Sequence, residues 1–289
     1  MFKMKKIVSA LLAAAMLFGA ALSASAAAKT QDKDWTQADL SKLGQGIYQD
    51  FVKGLHNMQG TVTSEFSGTS QQAFDQFGKI LQVLKKQNPE IFWLSYDYQS
   101  CKVTGGDTLS WSPDYFSEFK SGGKLDKEKI KSVQQSLEAV VNSVGTGKTT
   151  YETVTKFNSW LTQNVAYTFD YSNSHVYELT GALVDRKCAC EGYAKAFKFL
   201  CDNAGIECVV VSGKGTTGGT TYDHEWNYVK MDDGKWYLMD CTWNALGANK
   251  QKWFLLGTDS AVEGMALLTS HKEDGSKYPE LSKANYSAQ

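Results

Sequence analysis

The chain has 289 residues, room for one large domain or two small ones, and its 42% hydrophobic and 21% charged content is that of an ordinary globular protein. Thirty basic and 31 acidic residues leave a formal net charge of −1, so no global basic bias points to nucleic acid. Beyond the N-terminal segment, no stretch approaches the ~20 apolar residues of a spanning helix.

Residues 1–28 read as a signal peptide. Lys3, Lys5 and Lys6 form a positive start, residues 7–22 are apolar, and Ala24-Ser25-Ala26 satisfies the small-residue cleavage rule. An uncleaved membrane anchor is the weaker alternative given that site, and no cysteine follows for lipid attachment. The expected mature protein is secreted or envelope-associated, cut near Ala26, soluble and without a membrane span.

Residues 29–125 are expected to form an N-terminal α+β region. Thr36-Gln37-Ala38-Asp39 resembles a capping box, and Leu40, Leu43, Ile47, Phe51 and Leu55 then make a helical stripe. Residues 58–70 are polar and read as a loop. A second helix is expected over 71–86, broken at Asn88-Pro89. Ile91-Phe92-Trp93-Leu94, Tyr96, Tyr98 and residues 108–111 suggest strands. The aromatic residues here read as core rather than as a ligand platform, although a sugar- or peptide-binding role stays open.

Residues 126–289 are expected to form the second domain. A helix is expected over 127–141, and Gly145-Thr146-Gly147-Lys148-Thr149-Thr150 then imitates a phosphate-binding loop. That pattern requires a glycine where Asn142 stands, and a strand where a helix precedes, so the segment reads as a turn with a Thr cap. The next helix is expected over 151–163. Residues 213–221, nearly all Gly, Thr and Lys, read as a surface loop or a mobile flap beside the site.

Cys188-Ala189-Cys190-Glu191-Gly192-Tyr193 leads into a helix whose stripe includes Ala194, Phe197, Leu200 and Cys201, with Gly205 as its stop. Cys190 thus falls at a helix N-terminus, where free N–H groups and the helix dipole stabilise a thiolate. Gly192 lets a strand or a substrate approach. Downstream, 224–229 and 235–240 read as two strands joined by a turn at Asp232-Asp233-Gly234. A turn centred there pairs residues whose numbers sum to 464–466, which sets His224 opposite Asp240 to within about two residues. Nucleophile, base and orienter make a Cys190–His224–Asp240 constellation. His56, His175 and His271 lack that strand context; His271 is expected to be structural, and residues 272–276 a solvated turn.

Cys190-Glu191-Gly192-Tyr193-Ala194, His224-Glu225-Trp226-Asn227 and Trp236-Tyr237-Leu238-Met239-Asp240-Cys241-Thr242-Trp243 resemble, in order and spacing, the signature blocks of the transglutaminase-like (papain-like thiol) superfamily, exported bacterial type. Gly181-Ala182-Leu183 and the strand Trp253-Phe254-Leu255-Leu256 resemble it as well. The resemblance implies an α+β fold with a nucleophile helix packed on an antiparallel sheet. It implies thiol acyl transfer by Cys190, His224 and Asp240, on a protein, peptide or cell-wall amide. Water as acceptor gives a peptidase or amidase, the expected activity; a lysine amine gives a cross-linking transglutaminase; a non-catalytic binding module is the third possibility. Trp226, Trp243 and Tyr193 are expected at the substrate. No cofactor and no metal is expected, since the Cys188–Cys190 pair has no second pair at ligand spacing. Six cysteines with Cys190 free leave an odd number, so a further thiol is unpaired or pairs between chains; Cys201 and Cys208 read as packed thiols.

Overall fold

The computed structural model describes residues 34–288, with side chains at all but 96–99; the export segment expected over residues 1–28 lies outside the described residues. Helix α1 (Lys42–His56) starts after Ser41, whose hydroxyl accepts from the Gly44 N–H, and residues Trp35–Gln37 form a 3-10 turn where the Thr36 box predicts a helix start. Helix α2 (Ser70–Gln87) has a reciprocal cap: Thr69 Oγ1 accepts from the Gln72 N–H while Gln72 Oε1 accepts from the Thr69 N–H.

The polar stretch between them, expected as a loop, contains β1 (Val62–Glu65). Its side chains alternate buried and exposed, and four residues suffice because the partner strand is long. With β2 (Leu94–Thr104) and β3 (Thr108–Tyr115) it forms an antiparallel sheet in the order β1-β3-β2. Phe51 of α1, Phe77 of α2 and Trp111 of β3 meet with ring centroids 5.4–6.4 Å apart, which pins both helices to this sheet.

Helices α3 (Lys127–Val144) and α4 (Thr150–Asn164) are joined by the loop that imitates a phosphate site. Gly145 at φ +60° ends the first, and Thr149 Oγ1 accepts from the Glu152 N–H to start the second. It is a turn between helices, as its missing strand requires. Short strands β4 (Ala166–Tyr167) and β5 (Lys187–Cys188) pair in parallel on either side of α5 (Leu179–Leu183), and β5 delivers the chain to α6 (Cys190–Asn203).

Strands β6 (Cys208–Thr217), β7 (Thr220–Lys230) and β8 (Trp236–Met239), then α7 (Cys241–Leu246), β9 (Phe254–Leu256), α8 (Leu267–Ser270) and β10 (His271–Glu273) complete the chain. The five strands form an antiparallel sheet in the order β9-β8-β7-β6-β10. Residues 213–221 are therefore no loop: they are the ends of β6 and β7 around a Gly218-Gly219 turn, both glycines at positive φ. The β-branched threonines favour strand, and two adjacent glycines supply the tight hairpin turn.

Alternation splits this sheet between two cores. Cys208, Val229, Tyr237 and Met239 join Phe197, Leu200 and Cys201 of α6, whereas Val209, Val211, Trp226, Tyr228 and Leu238 form the core of the opposite face. The first core continues into the α1–α2 layer. Gln87 at the end of α2 grips Val210 of β6 twice, its Nε2 donating to the carbonyl (2.8 Å) and its Oε1 accepting from the N–H (3.0 Å). That side chain covers edge hydrogen-bonding groups that β10 does not reach. The result is the expected mixed helix-and-sheet fold with the Cys190 helix packed on an antiparallel sheet. Among the described residues no helix is long and apolar enough to cross a membrane.

Candidate active site

Cys190 is the first residue of α6 and lines a cavity of about 910 Å³. Its helix can start there because Gly192 lets the chain pass close: a Cβ on Gly192 would lie 2.6 Å from Cys188 Cβ and 2.8 Å from the Val176 carbonyl. The glycine thus admits the protein's own β5 and preceding turn, not a substrate.

His224 comes from β7. Trp236 pairs with Lys230 and Met239 with Asn227, a register sum of 466, so β8 ends before it reaches His224. Asp240 follows directly and closes the gap with its side chain. As N-cap of α7 it accepts the Trp243 N–H on Oδ1 (2.9 Å), which turns Oδ2 toward His224 Nε2 at 2.7 Å. Both groups are buried, at 2% and 0% exposure.

The indole of Trp243 stacks on the His224 ring, with centroids 4.9 Å apart and planes 15° apart, and its Nε1–H donates to the Tyr222 hydroxyl (2.9 Å). With Nε2 committed to Asp240, Nδ1 is the nitrogen left for Cys190; it is buried and makes no hydrogen bond among the described residues. Burial opposes charge on His224, but the Asp240 carboxylate, its hydrogen bond and Cys190 outweigh burial and push the imidazole pKa up to about 10. Burial would likewise raise Asp240, yet His224 and His271 hold it well below the usual carboxylate range.

His271, expected to be structural, reaches the same carboxylate. Its Nε2 lies 3.1 Å from Asp240 Oδ2, and its Nδ1 lies 3.0 Å from Ser270 Oγ. Lys272 and Glu273, expected to open a solvated turn over 272–276, belong with His271 to strand β10, because Gly213 of β6 leaves room for the Lys272 carbonyl; the bend itself falls at 275–276. His224, Asp240 and His271 are also a set of side chains whose ligand atoms could converge on a cation. A metal held at ~2.0–2.2 Å keeps its ligand atoms roughly 3.3 Å apart. The 2.7 Å and 3.1 Å separations are those of hydrogen bonds instead.

Of the three side chains expected at the substrate, Trp243 lines the cavity. Trp226 is buried behind His224, its ring stacked at 5.9 Å and 28°, and does not line the cavity. Tyr193 is a correction of the same kind: it is fully buried, and its hydroxyl donates to the Val165 carbonyl, because position 193 faces inward with Phe197 and Leu200. Aromatic residues the sequence did not single out take their place: Tyr167, Phe169, Tyr171 and Tyr177, with Phe169 77% exposed.

The cavity wall also carries carboxylates. Glu191 Oε1 is 2.9 Å from Lys195 Nζ and 3.5 Å from Lys85 Nζ, and the buried Lys195 also donates to Glu178 (2.8 Å). Glu225 accepts from the Ser212 hydroxyl (2.7 Å) on Oε1, while its Oε2 is buried without a hydrogen-bond partner among the described residues. Burial and the nearby Glu191 push the Glu225 pKa up to about 7. All six cysteines are free. Burial pushes the thiols of Cys188, Cys201 and Cys241 well above the ordinary range and that of Cys101 up to about 11.

Residues 138–241 match the model of the transglutaminase-like superfamily, a span that contains the Cys190 helix, His224 and Asp240. The chain carries a transglutaminase-like domain. Its sequence is similar to kyphoscoliosis peptidase of Mus musculus, 30% identical over 97 residues, and to that of Homo sapiens, 29% identical over 97 residues. Each match covers 30% of this chain and 14% of the relative's length, so the chain spans a small part of those proteins. Among solved structures the chain is similar to a TGase, with 17% identity and a TM-score of 0.36, covering 63% of this chain and 50% of that one. It is also similar to the periplasmic domain of TgpA from Pseudomonas aeruginosa, with 15% identity and a TM-score of 0.31, covering 51% and 64%.

Proposed function

We propose that the chain is an exported thiol acyl-transfer enzyme that hydrolyses amide or peptide bonds, with Cys190 as nucleophile, His224 as general acid–base and Asp240 as orienter. The observation that carries this is the 2.7 Å contact between Asp240 Oδ2 and His224 Nε2, which leaves the other ring nitrogen to Cys190 in the cavity wall. The Cys190 thiolate attacks the carbonyl carbon; the C–S bond forms and the C=O pair moves to oxygen, where the Cys190 N–H at the helix start is the donor in reach. Collapse expels the amine, which takes its proton from His224. Water then attacks the thioester, gives a proton back to His224, and the acid leaves as the thiolate is restored.

Water as acceptor is supported by the cavity: about 910 Å³ beside the nucleophile holds on the order of tens of water molecules, a poor shield for a thioester. The name of the mammalian relatives supports a peptide-like substrate. Export rests on residues 1–28, and residues 29–125 are proposed as an N-terminal region joined to a catalytic part at 126–289.

The test incubates the mature protein and Cys190→Ala with a reactive acyl ester, with and without a large excess of a primary amine. Acid product in both cases, absent with Cys190→Ala, supports the proposal. A dominant amide adduct replaces hydrolysis by amine transfer. Equal turnover by both proteins leaves a binding module.

A further inference from the structure

The Asp240 carboxylate accepts more than an orienting residue needs. Oδ1 takes the Trp243 N–H at 2.9 Å, and Oδ2 lies 2.7 Å from His224 Nε2 and 3.1 Å from His271 Nε2. The second histidine comes from the far end of the chain, on the edge strand β10, and its ring is fully enclosed. Its ring centroid lies 4.4 Å from that of Trp243, 4.9 Å from Trp253 and 5.0 Å from Trp226.

We propose that His271 is a positioning residue for Asp240: it donates Nε2–H to Oδ2 and holds the carboxylate in the one orientation that meets His224. This rests on the role given above to Cys190, His224 and Asp240.

Proton bookkeeping supports the assignment. An ionised carboxylate only accepts, so both histidines must present Nε2–H to Oδ2. His271 is enclosed by three indoles, and burial lowers its pKa despite the neighbouring carboxylate, so it carries a single proton. That proton is on Nε2, and Nδ1 is then an acceptor. The group at Nδ1 is the Ser270 hydroxyl, 3.0 Å away, which also has the Leu267 carbonyl in reach at 2.9 Å. That hydroxyl has a single proton, which the Leu267 carbonyl can take, so it is the Asp240 carboxylate that calls for the Nε2–H form of His271.

The mechanical consequence concerns rotation about the Asp240 Cβ–Cγ bond. With Trp243 N–H on one oxygen and two imidazoles on the other, a quarter-turn of the carboxylate breaks three hydrogen bonds at once. A carboxylate with His224 as its sole ring partner keeps one donor fewer against that motion. His271 is reached through β10, whose pairing with Gly213–Gly215 is backed by the Asp274 N–H donating to the Ser212 carbonyl at 2.9 Å. The donor is therefore mounted on the sheet that also carries His224.

A ring that merely fills space between three tryptophans would explain the burial but not the hydrogen bonds, and two variants of the full chain separate the roles. His271→Gln lacks the ring but keeps an N–H donor at similar reach. His271→Phe keeps a ring and has no donor. The readout is the second-order rate of Cys190 alkylation by chloroacetamide, a neutral reagent, at pH 6.5, with melting temperature recorded for each protein. Loss of a hydrogen bond to a buried charge predicts a rate about tenfold lower for His271→Phe, with His271→Gln within about threefold of wild type.

Equal rates for Gln and Phe, or a Phe variant as fast as wild type, overturn the proposal. Wild-type Cys190 no faster than a free thiol would sink the underlying assignment of Cys190 and His224, and this proposal with it.

Discussion

Asp240→Asn is the substitution that the geometry treats most harshly. Three donors converge on the carboxylate: Trp243 N–H on Oδ1, and His224 and His271 on Oδ2. An amide has one acceptor oxygen. If that oxygen faces the Trp243 N–H, the NH2 group confronts two ring N–H groups; if it faces the histidines, the NH2 confronts the Trp243 N–H. At least one of three buried hydrogen bonds to a charge becomes a donor–donor contact, and each such bond contributes roughly 1.5–3 kcal/mol.

The chemical effect is larger at acid pH. Without the carboxylate, burial is the dominant influence on His224, and the imidazole no longer stays charged toward its present value of about 10. The imidazolium is the group that favours a thiolate at Cys190, so alkylation should fall most at acid pH, by about ten- to a hundredfold at pH 6. At pH 9 an ordinary thiol ionises unaided, and the deficit should shrink to within several-fold. Iodoacetamide rates on both proteins across pH 5–9, with peptide mapping, give the two ratios. A ratio equal at pH 6 and pH 9 would refute the ion-pair picture.

Stability follows the same signs. His224 is raised, so its contribution is complete below 6.5 and is lost as pH rises through about 10. Asp240 is lowered, so its contribution is complete above 3.8 and is lost on further acidification. The melting-temperature gap between wild type and Asp240→Asn should be widest between those two values.

Two further substitutions probe the surroundings of the site. Gly215→Ala places a Cβ 2.9 Å from His224 Cβ and 2.9 Å from Trp243 Cζ2; overpacking of this kind costs about 1–3 kcal/mol, and it should slow Cys190 alkylation several-fold, so an unchanged rate would show that the His224–Trp243 stack has slack. Lys195→Met leaves the buried Glu178 carboxylate without its partner; the expected loss is about 3–5 kcal/mol in urea unfolding, largely recovered in Lys195→Met/Glu178→Gln, and a single variant as stable as wild type would contradict the burial of that pair.

The parts of the site that the sequence reveals are those set by local pattern. A helix start after Cys188-Ala189, a turn at 232–234 and a period-2 strand on each side bring Cys190, His224 and Asp240 together, because hairpin register depends on few residues. Tyr193 shares the helical phase of Phe197, four residues on, and of Leu200, seven on, and that phase places it inward rather than at a substrate. The Thr/Gly run of 213–221 read as a loop because its composition is polar, while β-branching and a Gly-Gly pair specified a hairpin. His271 has no local signal. Its place is decided by β10 adding to the edge of β6, a pairing across more than fifty residues of chain.

The thiols are sorted by access to oxidants. Cys188, Cys201, Cys208 and Cys241 are buried, whereas Cys190 opens on the large cavity. A peroxide entering there meets one sulfur, and the sulfenic acid it forms has no resolving partner: Cys188, two residues back, is packed behind Gly192 and too near in sequence to bridge without distortion. Oxidation then climbs toward the irreversible acids unless a small external thiol enters first and caps the sulfur. The cavity that admits a substrate also admits that thiol, so the recovery of an oxidised molecule, readable as added oxygen mass on the Cys190 peptide, depends on the thiols dissolved around it.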